Sequence, residues 1–236
     1  MISTILFDLD GTLLPMDMDK FIPCYFGKLA EHLGGFGIDT DLIIKAVWAG
    51  TIEMMKNDGK VTNEQVFWSS VNSTLGYDVR AEHSDKFDSF YATRFDEVGS
   101  ACGFNPSSAE LIRHLKEKGI KTILATNPVF PRVATEKRIA WAGLDKEDFL
   151  LYTTYENSSY SKPNPDYYRE ILDKFGLLPE ECLMVGNDTT DDMIAESLGM
   201  KVFLLTDCLY NKKGVDIKKY PHGDFYQLWE YVQNLI

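Results

Sequence analysis

Five short apolar runs separated by amphipathic stretches constrain this chain more than any other feature. They are "ISTILFD" from Ile2, "KTILATN" from Lys121, "DFLLYTT" from Asp148, "ECLMVGND" from Glu181 and "KVFLLTD" from Lys201. None alternates strictly between apolar and polar residues, the pattern of strands covered on both faces. Between them lie helical patterns. "SSAELIRHLKEKG" carries a capping box at Ser107 and Glu110 and stops at Gly119, while "PDYYREILDKFG" and "TDDMIAESLG" stop at Gly176 and Gly199. Strand and helix in alternation predict an α/β fold with a doubly wound parallel sheet, a Rossmann-like core.

One region departs from the alternation. Residues 16 to 101 read as helix without a convincing strand, most clearly in "DLIIKAVWAGTIEMMKND" and in "NEQVFWSSVNSTLG", whose capping box is Thr62 with Gln65. An insertion of that size predicts a second, smaller all-helical domain over residues 16–100, with residues 1–15 and 101–236 forming the core. Val47, Phe67, Trp68 and Phe90 are its expected inward-facing side chains, in packing roles.

The chain has 236 residues, 44% of them hydrophobic, and a net charge of −12. That charge disfavours nucleic acid and anionic membranes as partners. No stretch approaches the roughly 20 apolar residues that span a bilayer, and no leader pattern is present. Cys24, Cys102, Cys182 and Cys208 lie far apart and read as reduced thiols, so a cytoplasmic location is expected. The four histidines are scattered and suggest no zinc site.

Ligands of an open parallel sheet sit beyond the carboxyl ends of its strands, and those ends carry the chemistry here. The first run ends in Asp8 and Asp10, followed by Gly11 and Thr12. Two carboxylates there can bind a divalent cation or divide the work of nucleophile and general acid. The second ends in Thr126 and Asn127, Lys162 stands beside Pro163 and Pro165, and the fourth run leads to Asp188, Asp191 and Asp192. Taken singly, each is compatible with a helix cap or a solvated surface. Together they place a hydroxyl, a cation and two sets of carboxylates at one sheet edge.

In these four motifs, "DLDGT", "ATN", "KPNPDYY" and "GNDTTDD", the sequence resembles the phosphatase branch of the haloacid dehalogenase-like superfamily. The insertion after the first strand is similar to that family's helical first-position cap. The resemblance implies a Mg²⁺-dependent hydrolase of phosphomonoesters with a small phosphorylated metabolite as its partner, and the insertion, long enough to close over the strand ends, predicts small esters such as sugar or organic-acid phosphates. It makes Asp8 the nucleophile that becomes an aspartyl-phosphate and Asp10 the general acid and base. Thr126, with Asn127 beside it, would bind phosphate, and Lys162 would neutralise charge on it. The implied metal site comprises Asp8, the Asp10 carbonyl and Asp188, with Asp192 supporting it through water or Lys162. Asn187 intrudes in the fourth motif, so the acidic positions are counted from Asp188, and Asp191 has no assigned role.

A sugar phosphomutase of the same superfamily keeps both aspartates and is the alternative reading. A non-catalytic phosphoryl-accepting or binding protein is a third. Asp17, Lys20, Tyr25, Trp48 and Lys56 are the candidates for choosing a substrate.

Overall fold

The computed structural model describes residues 1–236. Its sheet has five parallel strands, β1 (Thr4–Phe7), β2 (Lys121–Leu124), β3 (Cys182–Gly186), β4 (Lys201–Leu205) and β5 (His222–Gly223), in the order β2-β1-β3-β4-β5. Strand side chains alternate between faces, and both faces are buried. Ile5, Phe7, Leu183, Val185, Phe203 and Leu205 join one apolar cluster, while Leu6, Cys182, Met184, Val202 and Leu204 join the other. The runs lack polar alternation because neither face meets water.

Helices supply both covers. On the first face lie α5 (Pro106–Glu117), through Leu111, Ile112 and Leu115, and α8 (Phe225–Gln233), through Phe225, Leu228 and Val232. On the second lies α7 (Pro165–Phe175), through Tyr167, Tyr168, Ile171 and Leu172. A further helix, α6 (Arg132–Trp141), follows β2. No helix is long and apolar enough to cross a membrane.

Several local expectations are corrected. Residues 148–154 run beside β2 and exchange backbone hydrogen bonds with Thr122 and Leu124, but pair regularly only at the Leu124–Tyr152 bridge. A 3₁₀ turn at Lys146–Asp148 leads into this segment. The Thr153 hydroxyl then donates to the Thr126 carbonyl at 2.6 Å, which draws the chain out of register. The fifth strand is His222–Gly223 instead, too short for any periodicity to reveal. Helix α5 begins earlier than the Ser107 capping box: Asn105 is the N-cap, accepting from Ser107 N, and Pro106 occupies the first turn. Residues 193–198 close as a 3₁₀ rather than an α-helix, ending on Gly199 at φ +91°.

The insertion consists of α1 (Met18–Gly34), α2 (Thr40–Met55), α3 (Asn63–Leu75) and α4 (Val79–Thr93), followed by a 3₁₀ segment at Phe95–Ala101. The capping box of Thr62 and Gln65 is present. Val47, Phe67, Trp68 and Phe90 are all buried. The chain enters and leaves side by side: Met16 and Cys102 form an antiparallel bridge, and Gly103 N donates to Pro15 O at 2.7 Å. A single apolar cluster runs from the sheet face into these helices through Phe21, Tyr25 and Phe95.

A second attachment is polar. Asn63, fully buried in the first turn of α3, donates through Nδ2 to Pro128 O, Tyr160 O and Ser161 Oγ at 3.1–3.2 Å, and accepts from Asn57 Nδ2 at 2.8 Å. Two N–H groups that the helix start leaves free, those of Asn63 and Glu64, donate to Ser158 O and Tyr155 O. Asn63→Ala would leave several buried partners unsatisfied, each worth about 1–3 kcal/mol. We expect a loss of roughly 3 kcal/mol, or about 6–12 °C in Tm for a chain of this size. Calorimetry checks it; a Tm within 2 °C of wild type would show that the attachment contributes nothing.

Candidate active site

Residues at the carboxyl ends of β1, β2 and β3 meet the insertion around one cavity of about 580 Å³. Asp8 continues the β1 ladder, its N–H donating to Val185 O at 2.9 Å. The chain then turns sharply at Gly11, whose φ is +89° and whose absent Cβ would lie 2.3 Å from Asn187 Nδ2. Only glycine permits that approach. Asn187 is therefore a structural part of the turn: its Oδ1 accepts from Thr12 Oγ1 at 3.1 Å and its Nδ2 donates to Cys208 O at 2.7 Å.

Lys162 occupies the centre. It is 1% exposed, and its Nζ donates to Asp8 Oδ1 at 2.9 Å and to Asp192 Oδ1 at 2.6 Å. Burial works against its charge, but Asp192 and Asp8 outweigh that and hold its pKa well above the usual lysine value. The other oxygen of Asp192 accepts the Asp188 N–H at 2.9 Å. Both oxygens are therefore committed, which places Asp192 behind Lys162 rather than among direct metal ligands.

The remaining oxygens are freer. Asp8 Oδ2 has only a 3.4 Å contact from Thr12, and Asp188 Oδ2 has no hydrogen bond, since Thr190 N and Asp191 N both donate to Oδ1. The backbone N–H groups of Leu9, Asp10 and Asn127 find no acceptor within the protein, nor does the Thr126 hydroxyl find a partner. No three His, Cys, Asp or Glu side chains gather at metal-binding separation. Mg²⁺ needs only one or two carboxylates and keeps several waters, so Asp8, Asp188 and the Asp10 carbonyl are a donor set that fits it.

Asp10 is held by a residue the sequence did not reveal. Arg138, fully buried on α6, pairs through Nη1 with Asp10 Oδ2. Its guanidinium also donates to Thr135 Oγ1 at 3.2 Å and stacks over Phe130 at 4.5 Å. Asp10 Oδ1 is buried with no partner. Burial pushes the Asp10 carboxyl up to about 6, Arg138 opposes the shift and Asp8 adds to it. The available signal was a charge at an apolar helix position, four residues after Ala134 and three after Thr135.

Asn127 bridges two motifs, accepting from Lys162 N at 3.3 Å and donating to Asp191 Oδ2 at 3.4 Å. Burial and the neighbouring Asp188 raise the Asp191 carboxyl to about 6. Of the candidates in the insertion, Tyr25 and Trp48 line the cavity. Asp17 instead caps α1, Lys20 pairs with Asp17, and Lys56 pairs with Glu53. Phe67 and Trp68 serve both packing and the cavity wall.

Residues 2–199 match the haloacid dehalogenase-like hydrolase family. Among individual relatives, the bifunctional riboflavin kinase/FMN phosphatase of Arabidopsis thaliana is 28% identical over 206 residues, 85% of this chain and 47% of that protein. The chain thus spans about half the length of that relative. The phosphoglycolate phosphatase of Vibrio vulnificus is 26% identical over 208 residues, 87% of this chain and 84% of its own. A solved structure from Haemophilus somnus, described as a predicted phosphoglycolate phosphatase, superposes with a TM-score of 0.60 at 21% identity, covering 98% of each chain. This likeness shows the fold, and the match over residues 2–199 shows the family: the chain belongs to the haloacid dehalogenase-like hydrolases.

Proposed function

We propose that the protein is a Mg²⁺-dependent phosphatase of small phosphomonoesters in which Asp8 is the nucleophile. The observation that carries this reading is the pair of aspartates. Asp8 has one oxygen fixed by Lys162 at 2.9 Å and the other only weakly held, while Asp10 stands two residues on with an unpartnered oxygen. A relative named for phosphoglycolate, another for FMN and others for pyrophosphate support phosphate ester or anhydride chemistry in general rather than one substrate.

Asp8 Oδ2 attacks phosphorus and the bond to the leaving oxygen breaks, with Asp10 donating a proton to that oxygen. Water then attacks the aspartyl-phosphate, giving its proton to Asp10, and the bond between phosphorus and Asp8 breaks to release phosphate. The Thr126 hydroxyl and the backbone N–H groups of Leu9, Asp10 and Asn127 donate to phosphoryl oxygens, and Lys162 spreads positive charge over Asp8 and the phosphate. Bound by Asp8, Asp188 and the Asp10 carbonyl, Mg²⁺ would supply the remaining charge neutralisation between two anions. The insertion over residues 16–100 acts as a cap that excludes water and limits the size of the ester.

Replacing Asp8 with Asn keeps the shape and removes the attacking anion. Phosphate release should fall to background while circular dichroism stays native; activity within tenfold of wild type would sink the assignment. Chelation with EDTA should abolish turnover and Mg²⁺ restore it, and Asp188→Ala should raise the Mg²⁺ concentration for half-activity at least about tenfold. An unchanged Mg²⁺ titration in that variant would remove Asp188 from the metal site. With p-nitrophenyl phosphate, whose leaving group needs no proton, Asp10→Asn should still form the phosphoenzyme but hydrolyse it slowly. A burst of one nitrophenolate per chain, then turnover roughly 10²–10⁴-fold below wild type, is expected. A wild-type steady rate would exclude Asp10 as the base.

A further inference from the structure

The leaving-group half of the cavity has a composition that narrows the substrate further. Its walls in the insertion are aromatic: Phe26, Trp48, Phe67, Trp68, Phe87 and Tyr91 all line it. Phe67 meets Trp68 edge to face at 5.1 Å, and Trp68 meets Phe87 in the same way at 5.5 Å and 90°. Trp48, edge-on to Phe26 at 5.8 Å, is 47% exposed although it faces the cavity. Nearly half of its surface is thus left uncovered by the protein.

Charge is distributed just as unevenly. The insertion contributes two ionisable carboxylates to the lining, Asp19 and Asp88, and no lysine, arginine or histidine. The cations that reach the cavity come from the sheet side, Lys162 and Lys212. Lys162 is committed to Asp8 and Asp192. Lys212 is solvent-exposed, lies over the Tyr210 ring at 4.8 Å and approaches Asp19 at 3.5 Å. On its insertion side the cavity therefore offers an anionic leaving group two exposed carboxylates and no cation, a like-charge repulsion that solvent weakens but does not reverse.

Resting on the phosphatase reading above, we infer that the preferred substrate is a phosphomonoester whose alcohol carries a flat aromatic group and no negative charge. Edge and face contacts with the wall aromatics bind the ring. The volume of about 580 Å³ falls within the roughly 300–1,000 Å³ of cavities that enclose drug-sized ligands. Organic-acid phosphates, expected as substrates from the sequence, are disfavoured by Asp19 and Asp88. Sugar phosphates leave the aromatic walls unused.

The test compares kcat/KM for three phosphates of primary alcohols: benzyl phosphate, glycerol 1-phosphate and 2-phosphoglycolate. Benzyl phosphate should exceed each of the others at least tenfold; a smaller ratio against either overturns the inference. In Trp48→Ala the ratio of benzyl to glycerol phosphate should fall at least fivefold, and an unchanged ratio would show that the ring does not bind there. Asp88→Lys should raise turnover of 2-phosphoglycolate relative to glycerol 1-phosphate at least fivefold, and no rise would remove the charge argument. The two levels fail differently. Hydrolysis of none of the three esters would end the phosphatase reading itself. Hydrolysis of all three at similar rates, lost in Asp8→Asn, would keep that reading and end this one.

Discussion

The buried ammonium of Lys162 between Asp8 and Asp192 is the contact on which the rest of the site depends. A lysine with 1% exposure is tolerable only when paired. Its two partners come from different strand ends, so the pairing also fixes how the loops after β1 and β3 stand relative to each other. The constraint spreads outward. Asp192 can reach Lys162 only because Gly186 lacks a side chain: a Cβ there would lie 2.1 Å from Asp192 Oδ2. With its second oxygen Asp192 holds the Asp188 N–H, and Asp188 in turn holds the N–H groups of Thr190 and Asp191. One cation thus orders the acidic loop and aims its free carboxylate oxygens.

The fold was legible to the extent that both-faces burial leaves a mark in composition. Four of the five apolar runs are strands because each had to be apolar on both sides. The run from Asp148 carried the same mark yet pairs at a single bridge, since the Thr153 hydroxyl bonds sideways to the end of β2. His222–Gly223 carried no mark at all. Among site residues, those at strand ends were visible because their order along the chain maps onto one edge of the sheet. Arg138 was not visible, since its partner Asp10 is 128 positions away and no local pattern records so distant a pairing. The aromatic wall was seen only in part: Phe67 and Trp68 read as core, and they are core, but the same rings border the cavity.

Arg138 also ties the Asp10 carboxyl to the insertion. Phe130 lies against the guanidinium at 4.5 Å, and Phe21 and Tyr25 of α1 meet the same ring edge-on at 6.2 and 5.3 Å. Helix α1 is thereby linked to Asp10 through three contacts in series, α1 to Phe130, Phe130 to Arg138 and Arg138 to Asp10.

Besides the continuous apolar cluster and exposed ion pairs such as Lys137–Asp96, two further attachments fasten the insertion to the sheet layer. At the crossing of its entry and exit segments, Gly103 N bonds to Pro15 O, and the covalent chain itself cannot part there. At Asn63 the fastening is a cluster of hydrogen bonds converging on one amide. Two fixed points define a line, so a rigid movement of the helices that preserves both is confined to rotation about it. Any other movement must release the Asn63 amide, and because its bonds share one side chain they are lost together. If the helices move as a body, the crossing at Pro15 and Gly103 is the point that cannot open, and the Asn63 amide is the one that opens all at once.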